Sequence, residues 1–116
     1  MPAWTQGLLL TDSGQADNPV IFATRGFTTL TGYAAAEIVG RNCRFLQGPD
    51  TDRRTVAAIR EAVAARRRFD GDILNYRKDG RPFWNHLSIG PVTTEASETL
   101  LVGLQFDVSF RHSEGR

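Results

Sequence analysis

Alternating apolar and polar positions mark short strands at both ends of the chain, and helical spacing marks its middle. Gly7 to Thr11 and Val20 to Ala23 predict two short strands, separated by the polar, turn-rich stretch Asp12 to Pro19. Thr24 predicts a helix N-cap, with Phe27 and Leu30 at helical spacing before Gly32 ends the turn. Ala35 to Val39 predicts a second short helix ended by Gly40, and 42–47 a further single turn closed by Gly48-Pro49. Thr51 or Asp52 caps the one long helix, which runs to about Arg67 with Val56, Ile59, Ala62 and Val63 as its buried stripe. The rest alternates as strands: Phe69 to Arg77, Pro82 to Val92 and Leu100 to Ser109. This order predicts an α+β domain, a five-stranded antiparallel sheet with its helices gathered on one face.

The Asp79-Gly80 pair between two alternating runs is a strong hairpin signal, and loop length decides which side chains share a face. With a two-residue loop, Asn75 sits opposite Trp84, and Asn85 points to the other face. With a three-residue loop, Lys78-Asp79-Gly80 with Gly80 left-handed, Asn75 faces Phe83 and lies on the same face as Asn85, Leu87 and Ile89. Two amides among aliphatic side chains then need partners, because an unpaired buried amide costs roughly 1–3 kcal/mol. On the last strand, Leu101, Gly103 and Gln105 share one row, while Val102, Leu104, Phe106 and Val108 form an apolar row on the other. A row of that kind is usually covered, so the expectation is self-association through it, or a chain that is part of something longer.

At 116 residues the chain is expected to be one domain, with a core at about 7–109 and polar tails. A net charge of +1 gives no electrostatic reason to expect nucleic acid or an anionic membrane as partner. The run Arg66-Arg67-Arg68 is read as basic residues at a helix C-terminus rather than a nucleic-acid patch. Apolar runs are far too short to span a bilayer, nothing at the N-terminus resembles a signal peptide, and a cytoplasmic protein is expected. The single cysteine, Cys43, excludes an intramolecular disulfide, and with only His86 and His112 beside it no zinc-type ligand set is expected.

Gly40-Arg41-Asn42-Cys43-Arg44-Phe45-Leu46-Gln47 resembles the signature of LOV (light-oxygen-voltage) domains, a photosensory branch of the PAS superfamily. The likeness extends to Thr31-Gly32-Tyr33, to Gly48-Pro49-Asp50-Thr51-Asp52 and to Leu74-Asn75-Tyr76-Arg77-Lys78-Asp79-Gly80. Pro82-Phe83-Trp84-Asn85, and Gly103 with Gln105 and Asp107, also match, so the resemblance covers about Val20 to Val108. It implies a PAS fold holding FMN between helices and sheet, and a blue-light receptor rather than an enzyme. Cys43 would add reversibly to the photoexcited flavin, whose strength as an oxidant and proton acceptor removes the need for a preformed thiolate.

By the same resemblance Arg44 and Arg60 would hold the phosphate, and Asn42 and Gln47 the polar edges of the ribityl chain and ring. Asn75 and Asn85 would pair with the pyrimidine edge, which fits the three-residue loop. Gln105 would be the switch, since an amide presents either a donor or an acceptor. Leu46 and Leu87, with Phe22, Phe45, Phe83 and Ile89, read as core and pocket wall. A Lys78–Glu37 salt bridge is expected to add little stability. Ala34, where a better capping residue is frequent, predicts a loose helix start, and Trp84 is expected on the outer sheet face. Two other functions compete: an FMN-based redox sensor, which would keep its flavin unbleached in light, and a flavin-free PAS interaction module, which would purify colourless.

Overall fold

The structure is a computed structural model that describes residues 6–112; Trp4 lies outside them. In chain order the elements are β1 (Gln6–Asp12), β2 (Val20–Ala23), α1 (Arg25–Thr31) and α2 (Ala35–Ile38). A 3-10 turn (Cys43–Leu46), the long helix α3 (Arg53–Ala65), β3 (Phe69–Tyr76), β4 (Pro82–Val92), β5 (Leu100–Asp107) and a second 3-10 turn (Ser109–His112) follow. The strands form the one five-stranded antiparallel sheet that the α+β reading expected, in the order β2-β1-β5-β4-β3. Because β5 inserts between β1 and β4, the last strand becomes the middle of the sheet.

The inner face carries Leu9, and that side chain clusters with Phe27 of α1, Ile38 of α2 and Leu46 of the first 3-10 turn. Each is nearly water-free, and burying such a side chain contributes roughly 1.5–3 kcal/mol. Thr24 starts α1 by accepting the Phe27 amide with its hydroxyl oxygen, and the same oxygen accepts the Leu8 amide of β1 at 3.1 Å. One side chain therefore fixes both the helix start and its seat on the sheet.

Four local expectations change. The start of α2 is not loose: Ala34 has no capping side chain, but Glu37 Oε1 accepts the Ala34 amide at 2.8 Å. α3 ends at Ala65 rather than near Arg67, because Arg66 adopts φ 54° and caps it. The Arg66 guanidinium then donates to Ser13 Oγ at 2.8 Å and the Leu100 carbonyl at 3.3 Å, so part of the basic run is spent inside the fold. Phe22 is not pocket wall; it pairs with Leu10 and is 50% exposed on the outer face. Val108 leaves the outer row: β5 stops at Asp107, the Val108 amide donates to the Trp84 carbonyl at 2.8 Å, and the side chain is buried.

The outer face also carries a cluster that the pattern of the strands did not reveal. Asp72 accepts from His86 Nδ1 at 2.7 Å, His112 Nε2 at 2.7 Å and Arg111 Nη2 at 2.6 Å. His112 stacks on Trp84 with ring centroids 3.9 Å apart, so the final 3-10 turn is strapped across β3 and β4. Desolvation pushes the Asp72 carboxyl up, but the bonds from Arg111, His112 and His86 outweigh it and hold it well below the usual carboxylate range.

Replacing Thr24 with Ala removes the cap and the Leu8 bond together and should cost about 1–2 kcal/mol, while Thr24→Ser should stay within about 0.5 kcal/mol. Urea denaturation of the two variants checks this; equal losses would show that the hydroxyl does not hold α1.

Candidate functional site

The site is built by register. Arg77 N donates to the Arg81 carbonyl at 2.9 Å and Gly80 N to the Arg77 carbonyl at 2.9 Å, closing the three-residue loop Lys78-Asp79-Gly80. Gly80 has φ 89°, a left-handed conformation that costs an L side chain roughly 1–2 kcal/mol. Asn75 consequently faces Phe83, as the longer loop predicted, and Asn85 shares its face. On the next pair of strands Leu87 faces Gln105 and Asn85 faces Asp107. Asn75, Asn85, Leu87 and Gln105 thus come together on the inner face of three adjacent strands.

Their hydrogen bonding is incomplete. Asn85 Nδ2 donates to Asn75 Oδ1 at 2.9 Å, and Asn75 Nδ2 donates to the Leu74 carbonyl at 3.3 Å. Asn85 Oδ1 and both amide atoms of Gln105 are buried with no partner among the described residues, at residue exposures of 1% each. An unpaired buried polar group costs roughly 1–3 kcal/mol, so three of them on one face ask for a ligand with matching donors and acceptors. Gly103 stands beside them: a Cβ there would come within 3.2 Å of Gln105 Nε2 and 4.0 Å of Leu87 Cδ1. The missing side chain keeps the backbone low next to the Gln105 amide, which suits a flat ring. These residues fit a flavin, whose pyrimidine edge alternates donors and acceptors.

Cys43 opens the first 3-10 turn, whose N-cap Asn42 accepts the Arg44 amide at 2.9 Å. Cys43 is half-buried and packs on the cluster of Leu9, Val20, Phe27, Ile38 and Leu46. Burial pushes its thiol up to about 12, so it stays protonated at neutral pH. Two contacts hold the turn through Phe45. Phe45 meets Tyr33 edge-on at 4.9 Å, and the Arg41 guanidinium lies 4.4 Å over the Phe45 ring.

The other expected residues do not all converge. Arg44 donates to the Asp17 carboxylate, and Asn42 Nδ2 donates to the Asp17 carbonyl at 2.8 Å. Gln47 Oε1 accepts from Arg53 Nη1 at 3.3 Å, and Arg60 is exposed on α3 without an ion pair among the described residues. Lys78 does reach Glu37 at 2.6 Å; both are well exposed, so the bridge adds little, as expected.

Sequence reasoning missed a partly buried ion pair at the end of this face. Arg77 Nη2 donates to Asp107 Oδ2 at 2.8 Å, with both side chains 15% exposed. Its Nη1 donates to the Leu30 carbonyl in the last turn of α1, and its guanidinium lies 4.6 Å from the Phe83 ring centroid. Burial pushes the Asp107 carboxyl up, but Ser109 and Arg77 outweigh it and bring it below its ordinary value. Parity supplied the one signal: Arg77 follows Asn75, and Asp107 follows Gln105, two positions along the same rows.

The comparisons with known proteins agree with this geometry. A PAS domain model matches residues 6–110. Phototropin-2 of Oryza sativa subsp. japonica is 50% identical over 111 residues, 95% of this chain but 12% of the rice protein. The LOV domain from the Erythrobacter litoralis EL346 blue-light activated histidine kinase superposes with a TM-score of 0.85 at 38% identity, covering 94% of this chain and 99% of that one. A light-oxygen-voltage domain studied with a flavin analogue superposes with a TM-score of 0.86 at 41% identity, over 94% of this chain and 82% of its own. The chain belongs to the PAS domain family. Within that family it is a LOV domain.

A carboxyl held below its unfolded value stabilises the fold above about pH 4 and loses that contribution as pH falls through the lowered value. Asp72 and Asp107 both have this sign, so urea stability should decline between about pH 4 and pH 2. Asp107→Asn should cost about 1–2 kcal/mol at neutral pH by taking the carboxylate from the partly buried Arg77, and should flatten part of that decline. A variant with unchanged stability and the same pH slope would remove the pair from the core of the fold.

Proposed function

We propose that this domain is a blue-light sensor that holds FMN non-covalently and bonds it reversibly through Cys43. The observation that carries the reading is the row of unpaired buried amide atoms on Asn85 and Gln105, next to a side-chain-free strand position at Gly103. Asn75 and Asn85 would accept and donate along the pyrimidine edge, with Leu46 and Leu87 against the ring. Arg44 and Arg60 would meet the phosphate, where a guanidinium fork suits the oxygens better than a lysine. Asn42 and Gln47 would bond the ribityl chain and ring edge.

FMN, once bound, would supply the photochemistry; Cys43 would give its sulfur and its thiol proton to the excited ring and would take both back thermally. The protein's part is to keep Cys43 protonated and fixed, which its burial in the Leu9–Leu46 cluster does. Gln105 has neither amide end committed, so it can turn its donor or its acceptor toward a nitrogen that has gained a proton. Its strand runs directly into Asp107 and the final 3-10 turn, a route for the change to leave the site. The outer row Val102, Leu104 and Phe106 is the surface proposed for self-association, without Val108. Among the described residues no helix is long and apolar enough to cross a membrane.

Visible absorption in the dark, after a blue pulse and during recovery tests the reading. The native chain should show a flavin spectrum that bleaches and returns. Cys43→Ala should keep the flavin and lose all bleaching, and Gln105→Leu should bleach normally with a smaller light-dependent spectral shift. Bleaching in the Cys43 variant would overturn the cysteine's role; flavin that never bleaches in the native chain would favour a redox sensor. Sedimentation of Phe106→Asp against the native chain tests the outer row, with a change in mass expected only if that face is an interface.

A further inference from the structure

The loop between β1 and β2 turns back onto the segment that carries Cys43. Asp17 and Asn18 adopt left-handed φ of 68° and 46°, and Asn18 N donates to the Gln15 carbonyl at 3.2 Å. The loop is stapled to the Cys43 turn through the two residues that flank the cysteine. Asn42 uses the Asp17 backbone carbonyl, and Arg44 uses the Asp17 carboxylate. Both partners of the ion pair are 58% exposed, so water competes for each and the pair exchanges readily. Asp17 therefore puts a negative charge on one of the two arginines that the FMN reading assigns to phosphate.

We propose that Asp17 is a charge gate on that subsite: its carboxylate sets how strongly the domain prefers a flavin bearing a phosphate monoester over one ending in a neutral hydroxyl. The inference rests on the assignment of Arg44 and Arg60 to the phosphate. A phosphate monoester carries about −1.5 to −2 charge at neutral pH, so two arginines match it and a third, negative group opposes it. The uncharged end of riboflavin feels no such opposition. Arg44 has five N–H donors and can hold both anions at once, so the gate lowers preference rather than abolishing binding.

Asp17→Asn is the clean probe. Asparagine tolerates the left-handed backbone, and the carbonyl that Asn42 uses is unchanged. Flavin-stripped protein, its fold checked by circular dichroism, is titrated with FMN and with riboflavin, following quenching of flavin fluorescence. The FMN Kd is expected to fall roughly two- to five-fold in Asp17→Asn, the scale of one exposed charge pair, while the riboflavin Kd stays constant. The gain should shrink in high salt, and it should vanish when Arg44→Gln is present in the same chain. An FMN Kd that is unchanged or raised, or a riboflavin Kd that moves by the same factor, overturns the gate. A gain that survives Arg44→Gln overturns it as well. Failure of the underlying reading looks different: the native chain would then bind neither flavin, or bind both equally and independently of Arg44.

Discussion

Everything at the inner face depends on the antiparallel register of β3, β4 and β5. A strand has a side-chain period of two, so a one-residue slip at the Lys78–Gly80 loop would turn Asn85 away from Asn75 and out of the core. The left-handed Gly80 prevents that slip by closing a loop of three residues. Once the register is set, Leu87 meets Gln105 and Asn85 meets Asp107 without further instruction. Three unpaired amide atoms then lie on one buried surface. Burying them is unfavourable for the protein alone, and that cost is the physical sign of a surface shaped for something else.

The helical layer solves a different problem. Apart from α3 its elements are short, and segments of four to seven residues cannot hold a helix by backbone bonding alone. End contacts to the sheet seat the layer: Thr24 to Leu8 and Arg77 to the Leu30 carbonyl for α1, and Thr51 Oγ1 to the Leu74 carbonyl at 2.7 Å for the start of α3. Arg77 links three parts, since one guanidinium touches α1, the Phe83 ring and the end of the strand that carries Gln105. A change at Gln105 therefore has stiff neighbours on both sides: Arg77 toward the helices, and Ser109, whose amide donates to Asp107 Oδ1 at 3.0 Å, toward the outer strap.

Electrostatics divides the molecule. The thiol sits among apolar side chains and stays neutral, whereas the charged groups near it, Arg41 and Arg44, are kept at the rim. That arrangement suits chemistry started by light, in which the nucleophile needs protection from water and oxidants and no base has to activate it. The rim, being exposed, is where charge can tune ligand choice at little cost to the fold. The outer face is organised separately, around one carboxylate at Asp72 that gathers His86, Arg111 and His112.

The chain's own pattern determined the element order, the parity of the strands and the hairpin, because hydrophobic period and turn chemistry are local properties. The octapeptide around Cys43 pointed to the family because its residues are contiguous. Tertiary structure alone decided which amides stay unpaired, that Arg77 and Asp107 meet across 30 residues, and that Asp17 reaches Arg44 across 27. It also decided that Val108 turns inward and Phe22 outward. The reason is common to all of these. Each depends on where two distant segments end against one another, and a polar side chain's partner is set by geometry in three dimensions, which period and propensity along the chain do not encode.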